Sequence, residues 1–140
     1  VGFDRILRDD SMKSFTHVRV LVVDDMASMR MLIKGFLHKL GITQIEEAQN
    51  GEVAWEKITS MAFDIIICDW DMPKMTGIEL LKTVKNQTPY QSIPFVMLTA
   101  NAQRAHVEEA AQHGVDGYIH KPFKPNVFIE RIRDLLQRQG

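Results

Sequence analysis

Apolar residues along the chain fall into short unbroken runs that alternate with amphipathic segments. VRVLVV (18–23) is rich in β-branched side chains and stops at two acids, Asp24 and Asp25. A run with no polar alternation predicts a strand buried on both faces, as parallel strands are. The segment that follows carries Met29, Ile33, Phe36 and Leu40 at spacings of four and three, a helical stripe closed by Gly41. ITQIEEA (42–48) predicts a weaker strand. Asn50-Gly51 predicts a turn, and 52–60 a short helix carrying Val53, Ala54 and Ile58.

The pattern then repeats. FDIIICD (63–69) is a second strong strand that ends in an acid, Asp69. DMPKMTG (71–77) is a loop in which Pro73 biases Met72 away from helical geometry. The spacing of Ile78, Leu81 and Val84 predicts a helix over 78–86. PFVMLT (94–99) is a third apolar strand, ending in Thr99, and 102–113 is a helix closed by Gly114. GYIHK (117–121) is a short strand that runs into Lys121-Pro122. The last helix is expected from Val127 to Gln139, with Val127, Phe128, Ile132, Leu135 and Leu136 facing inward. Five strands alternating with five helices imply an α/β fold, a parallel sheet with helices on both faces and right-handed crossovers.

Residues 17–140 hold the whole alternation, so one domain is expected there. Residues 1–16 mix charges with few apolar side chains and read as an N-terminal extension, mobile or left over from expression. Phe3, Ile6 and Leu7 there make one apolar helical turn, and Met12 is an alternative start.

Composition narrows the classes. Seventeen basic and eighteen acidic residues give a net charge of -1, which argues against direct nucleic-acid binding through bulk charge. The longest uninterrupted apolar run in the second strong strand, 65–68, meets Asp69, so membrane insertion is not expected. A single cysteine, Cys68, cannot form an internal disulfide and fits a reducing, cytoplasmic setting.

The strand ends carry the chemistry. In open α/β sheets ligands bind outside the carboxyl ends of the strands. Those ends here are Asp24 and Asp25, Asp69, Thr99 and Lys121. Three carboxylates on one rim would repel one another, and a hard, oxygen-preferring cation such as Mg2+ would relieve the repulsion. His17, His38, His106, His113 and His120 are scattered and form no ligand set. Mg2+ commonly takes its remaining ligands from phosphoryl oxygens, so the rim suits a phosphoryl group, with Asp69 as nucleophile, Thr99 as donor and Lys121 as point charge. Each residue has a plainer reading taken singly: Asp24 and Asp25 as cap and first-turn acid, Asp69 and Thr99 as caps, Lys121 as a solvated lysine.

VLVVDD (20–25), EEAQNGEVAW (46–55), IIICDWDMPKMTGIELL (65–81), VMLTA (96–100) and GYIHKPF (117–123) together resemble the receiver domain of two-component response regulators. Within that family the chain looks most like the stand-alone chemotaxis branch. The resemblance implies a flavodoxin-like (βα)5 fold with strand order 2-1-3-4-5. It implies phosphorylation of Asp69 by a histidine kinase. It also implies Mg2+ held by Asp24, Asp25, Asp69 and the backbone carbonyl of Asp71. Thr99 and Lys121 would contact phosphoryl oxygens, Thr99 and Tyr118 would act as the switch pair, and the Lys121-Pro122 bond would be cis. The readout face would comprise helix 102–113, strand 117–120 and helix 127–138, with Arg104, Val107, Ala111, Tyr118, His120 and Arg131 toward a partner. For those six, a reading as ordinary solvated residues stays open.

The implied partners are the kinase, a flagellar motor-switch protein and a phosphatase. The enzymatic character would be limited to self-phosphorylation and slow autodephosphorylation. Two positions depart from the chemotaxis pattern: Asp71 stands where Asn is usual and Asn101 where Glu is usual. Both are expected to flank the path of the hydrolytic water and to alter phosphoryl lifetime. Trp70 also matches that branch. It reads either as a half-exposed packing residue or as a functional neighbour of Asp69, and in both cases as a fluorescent reporter.

Two rival readings remain at this level. The chain could be the receiver piece of a larger DNA-binding or enzymatic regulator. Asp69-Trp70-Asp71 also has the D-x-D arrangement of Mg2+-dependent aspartyl-nucleophile phosphatases, whose turnover of small phosphomonoesters would separate them from a receiver.

Overall fold

The structure is a computed structural model that describes residues 15–101 and 103–139. Five strands, β1 (Arg19–Val23), β2 (Gln44–Ala48), β3 (Ile65–Asp69), β4 (Phe95–Thr99) and β5 (Gly117–His120), alternate with five helices. The helices are α1 (Ala27–Lys39), α2 (Gly51–Ser60), α3 (Gly77–Lys85), α4 (Arg104–Gln112) and α5 (Pro125–Gln139). All strand pairings are parallel, and the order is β2-β1-β3-β4-β5. The strand order inferred from the resemblance is therefore the observed one.

Strand periodicity sorts the core into two layers. Val20 and Val22, Ile65 and Ile67, and Val96 and Leu98 face one side, where they meet Ile33, Phe36 and Leu37 of α1 and Phe128, Ile132, Leu135 and Leu136 of α5. Leu21 and Val23, Ile66 and Cys68, and Phe95 and Met97 face the other, against α2, α3 and Ala110 of α4. The strand runs lack polar residues because both faces are covered. Each fully buried Leu, Ile or Phe contributes about 1.5–3 kcal/mol relative to exposure, so the central strands dominate stability.

The edge strand β2 is different. Its Glu46 and Glu47 are only half-buried, and alternation sends them to opposite faces. Glu47 is taken at 2.9 Å by both Arg30 and Lys34 of α1, and Glu46 at 3.4 Å by Lys57 of α2. The Lys34 hydrogen bond is the main cause that holds the Glu47 carboxyl below its ordinary range, against an opposing effect of burial.

Several local readings of the sequence need correction. Asn50 is not a turn residue but the cap of α2: its Oδ1 accepts from Val53 N at 2.9 Å. The last helix begins at Pro125, where a missing N–H costs nothing, and Val127, about 100° round the helix from Phe128, falls outside the inward stripe at 43% exposure. Phe15, assigned to the extension, is buried beside Val20 and Phe36. The rest of the extension through residue 14, including Phe3, Ile6, Leu7 and Met12, lies outside the described residues. Gly41 and Gly114 close α1 and α4 with φ of 85° and 84°, the left-handed geometry for which glycine is favoured. Among the described residues no helix is long and apolar enough to cross a membrane.

Candidate functional site

Because all five strands are parallel, their carboxyl ends share one rim. Asp24 and Asp25 follow β1, Asp69 closes β3, Thr99 closes β4, and Lys121 follows β5. Asp24 is 1% exposed and well anchored: its N–H donates to Ala48 O at 3.0 Å, and its Oδ1 accepts from Met26 N at 2.9 Å. Arg30 Nη1 donates to the Asp24 carbonyl at 2.6 Å. Asp25 is exposed at the mouth. Carboxylate oxygens of Asp24, Asp25 and Asp69 all lie within 4.8 Å of one another.

Lys121 joins this group from the far side of the sheet. Its Nζ donates to Asp69 Oδ1 at 2.9 Å and to Asp24 Oδ2 at 3.3 Å. Its own N–H donates to Thr99 O at 2.7 Å, and the Lys121-Pro122 bond is cis. Burial is the main cause that raises the Asp69 pKa; the Lys121 hydrogen bond opposes it and the charges of Asp24 and Asp71 add to it. For Lys121, burial pulls the ammonium pKa down, but the Asp69 hydrogen bond and the charges of Asp69 and Asp24 outweigh that and leave it raised. The site thus holds more negative charge than one lysine neutralises. Cys68, wholly buried beside Asp69, has its thiol pushed well up by burial, which makes it a poor nucleophile.

Thr99 is fully buried, and its Oγ1 accepts from Asn101 N at 3.0 Å. The Tyr118 hydroxyl, half-buried, donates to Asn101 O at 2.9 Å. The two residues singled out as a switch pair therefore grip the same loop residue. The Asn101 side chain is engaged locally, its Oδ1 accepting from Gln103 N at 3.0 Å. Asp71 is exposed beside the rim. Trp70 is 6% exposed, so the half-exposed reading is set aside; its indole stacks on His106 with centroids 4.1 Å apart and 28° between planes.

The six partner-face residues do not form one group. Val107, Ala111, Tyr118 and Arg131 line a shallow cavity of about 250 Å³, and Arg131 Nη1 donates to Tyr118 O at 3.1 Å. Arg104 instead pairs with Glu108 on its own helix, and His120 Nε2 lies 3.2 Å from Ala100 O.

Three supporting residues escaped the sequence reading. Gly77 packs where a Cβ would sit 2.4 Å from Asp69 O and 2.8 Å from Trp70 Cα, so only glycine allows α3 to start this close to the site. A glycine opening a helix beside a candidate acid was the available signal. Arg30 and His106 act through tertiary contacts that no local pattern announces.

Residues 20–133 match the family model described as the response regulator receiver domain. The chain belongs to that family. Among curated relatives, this receiver is 42% identical over 121 residues to the chemotaxis protein CheY of Pseudomonas aeruginosa, covering 86% of this chain and 98% of that protein. It is 40% identical over 120 residues to CheY1 of Helicobacter pylori, covering 85% and 97%. Among solved structures, chemotaxis response regulator CheY4 of Vibrio cholerae matches with TM-score 0.78 and 34% identity over 84% of this chain and 98% of that one. The Francisella response regulator 1452 receiver domain matches with TM-score 0.81 and 31% identity over 89% and 100%. Membership places the receiver in two-component signalling, in which such domains are switched by phosphorylation.

Proposed function

We propose that this receiver is a chemotaxis response regulator whose Asp69 takes a phosphoryl group from a histidine kinase and whose altered conformation is read by a flagellar motor-switch protein. One observation carries the chemical part: a lysine from beyond β5 rests on a buried carboxylate at the end of β3, beside two further carboxylates and a buried threonine. The likeness to chemotaxis proteins from two organisms, each covered almost in full, supports the biological part.

The donor set fits Mg2+. It offers hard carboxylate oxygens gathered within 4.8 Å, and Asp69, raised chiefly by burial, is raised further by the charges of Asp24 and Asp71. Asp24, Asp25 and Asp69 with the Asp71 backbone carbonyl would hold the ion, which when bound offsets the carboxylate charge and that of incoming phosphoryl oxygens.

The chain's own residues do the rest. An Asp69 carboxylate oxygen attacks phosphorus in line, the P–N bond to the donor histidine breaks, and its electron pair returns to the imidazole. Lys121 already rests on Asp69 Oδ1, so a small swing brings its ammonium onto the equatorial oxygens where charge builds. Thr99 Oγ1 donates to Asn101 O at 3.4 Å, so giving that proton to a phosphoryl oxygen releases the Asn101 carbonyl, and the release loosens the loop that Tyr118 also holds. The switch is thus a competition for one hydroxyl. Later hydrolysis passes Asp71 and Asn101, and a phosphatase would assist it there. The family match supports this reading over that of an aspartyl-nucleophile phosphatase.

The test is phosphorylation with a small phosphodonor and Mg2+, followed by intact-mass and peptide mapping. One added phosphoryl group on Asp69, lost in Asp69→Asn and without Mg2+, is the expected result. An unchanged mass, or a label elsewhere, overturns the chemistry. A pull-down of motor-switch protein that does not depend on beryllium fluoride overturns the partner.

A further inference from the structure

Helix α4 has weak means of holding its first turn. No side chain caps it, no acid stands in that turn, and Ala110 is its only buried residue. Arg104, Ala105 and Val107 are exposed, whereas His106 is half-buried and lies flat on Trp70. An ion pair to a neighbouring helix, Lys82 to Glu109 at 3.8 Å, joins side chains each about 40% exposed and is weakened by solvent.

Trp70 is fixed by contrast. Its N–H donates to Leu98 O and its carbonyl accepts from Gly77 N, both at 2.9 Å. It directly follows Asp69 in the chain.

We propose that His106 is a positioning residue: its stack on Trp70 anchors the first turn of α4 and forms a route from Asp69 to α4 separate from Thr99, Asn101 and Tyr118. Any tilt of the peptide after Asp69 turns the indole, and the imidazole lying on it carries the motion into α4. Val107, next in the chain, is a wall of the cavity beside Tyr118, so the motion reaches that surface. The route rests on the receiver reading of the site; the anchor does not.

The test uses the full chain carrying Trp55→Phe, so that Trp70 is the sole indole. Amide exchange over 104–108 and acrylamide quenching are compared for His106 in the parent, His106→Ala and His106→Phe. His106→Ala is expected to speed exchange roughly three- to tenfold and to expose Trp70, and His106→Phe, which keeps a flat ring, to restore both. Parent-like exchange in His106→Ala, or no rescue by Phe, overturns the anchor.

Beryllium fluoride with Mg2+ is then added. The exchange response over 104–108 is expected to fall by about half or more in His106→Ala while Trp70 emission still responds. A full response in that variant overturns the route. No emission response in the parent, with Asp69 unlabelled by phosphodonor, counts against the site reading, and the exchange data without ligand still decide the anchor.

Discussion

Helices α3 and α4 are nine residues each and pack on the same face of the sheet, on either side of β4 in the chain, but they are built to different standards. Helix α3 buries Gly77, Ile78, Leu80, Leu81 and Val84, and a capping box closes its start: Thr76 Oγ1 accepts from Glu79 N while Glu79 accepts from Thr76 N at 3.0 Å. Helix α4 buries Ala110 alone and has no side-chain cap. The difference separates two duties. Helix α3 holds β3, and with it Asp69, in place. Helix α4 follows Thr99 and the loop that Thr99 and Tyr118 grip, so low stability there leaves a part free to move.

The contrast can be broken at α3. Leu81→Ala is expected to cost about 2–4 kcal/mol in urea unfolding, far more than any truncation on the exposed face of α4. Gly77→Ala comes next, since its Cβ meets backbone rather than a flexible side chain. A loss of about 1–3 kcal/mol is expected, with slower labelling of Asp69 because β3 is the part displaced. A parent-like melting curve for either variant would mean that α3 does not hold the site.

Charge gives an intermediate effect. Asp69 has a raised pKa in the folded state, so the fold binds its proton more tightly than the unfolded chain does. Stability from that preference is full below the ordinary carboxylate range and is lost as pH rises through the shifted value. Without divalent ions, Asp69→Asn should therefore melt higher than the parent at neutral pH, by about 3 °C, with the gap closing below about pH 4. Added Mg2+ should stabilise the parent and not the variant.

The smallest effect sharpens the comparison from the other side. Gln103 has extended geometry at the start of α4, with φ -62° and ψ 143°. Gln103→Asp supplies a cap and should stabilise by about 0.5–1 kcal/mol, while reducing the beryllium fluoride response of α4. Stabilisation with the response intact would show that looseness at that end is not what the switch uses.

The fold and the rim were legible for one reason: both depend on residues that stand at the ends of strong apolar runs. Parallel strands have to be apolar, so Asp69 and Thr99 stand out where the runs stop. Asp24 and Asp25 were visible on the same ground, and Lys121 from its place after GYIH. What stayed hidden depends on residues brought from elsewhere. Nothing near His106 signals that it lies on Trp70, and nothing near Phe15 signals that it enters the core. Val127 stands next to an inward stripe in the chain, but at about 100° per residue it lies off the face that Phe128, Ile132, Leu135 and Leu136 share, and it is exposed. The capping box is readable from Thr76 and Glu79, three residues apart, although Pro73 marks the same stretch as loop.

The charged pairs of β2 bear on a different matter. An outermost strand leaves a row of backbone groups open to any extended peptide that drifts past. On this chain such an intruder meets Glu46 and Glu47 with Arg30, Lys34 and Lys57 arrayed above and below, and has to disturb those pairs before it can add to the sheet. Copies of the chain are thereby hindered from adding a strand at this margin, one of the two that the order β2-β1-β3-β4-β5 leaves open.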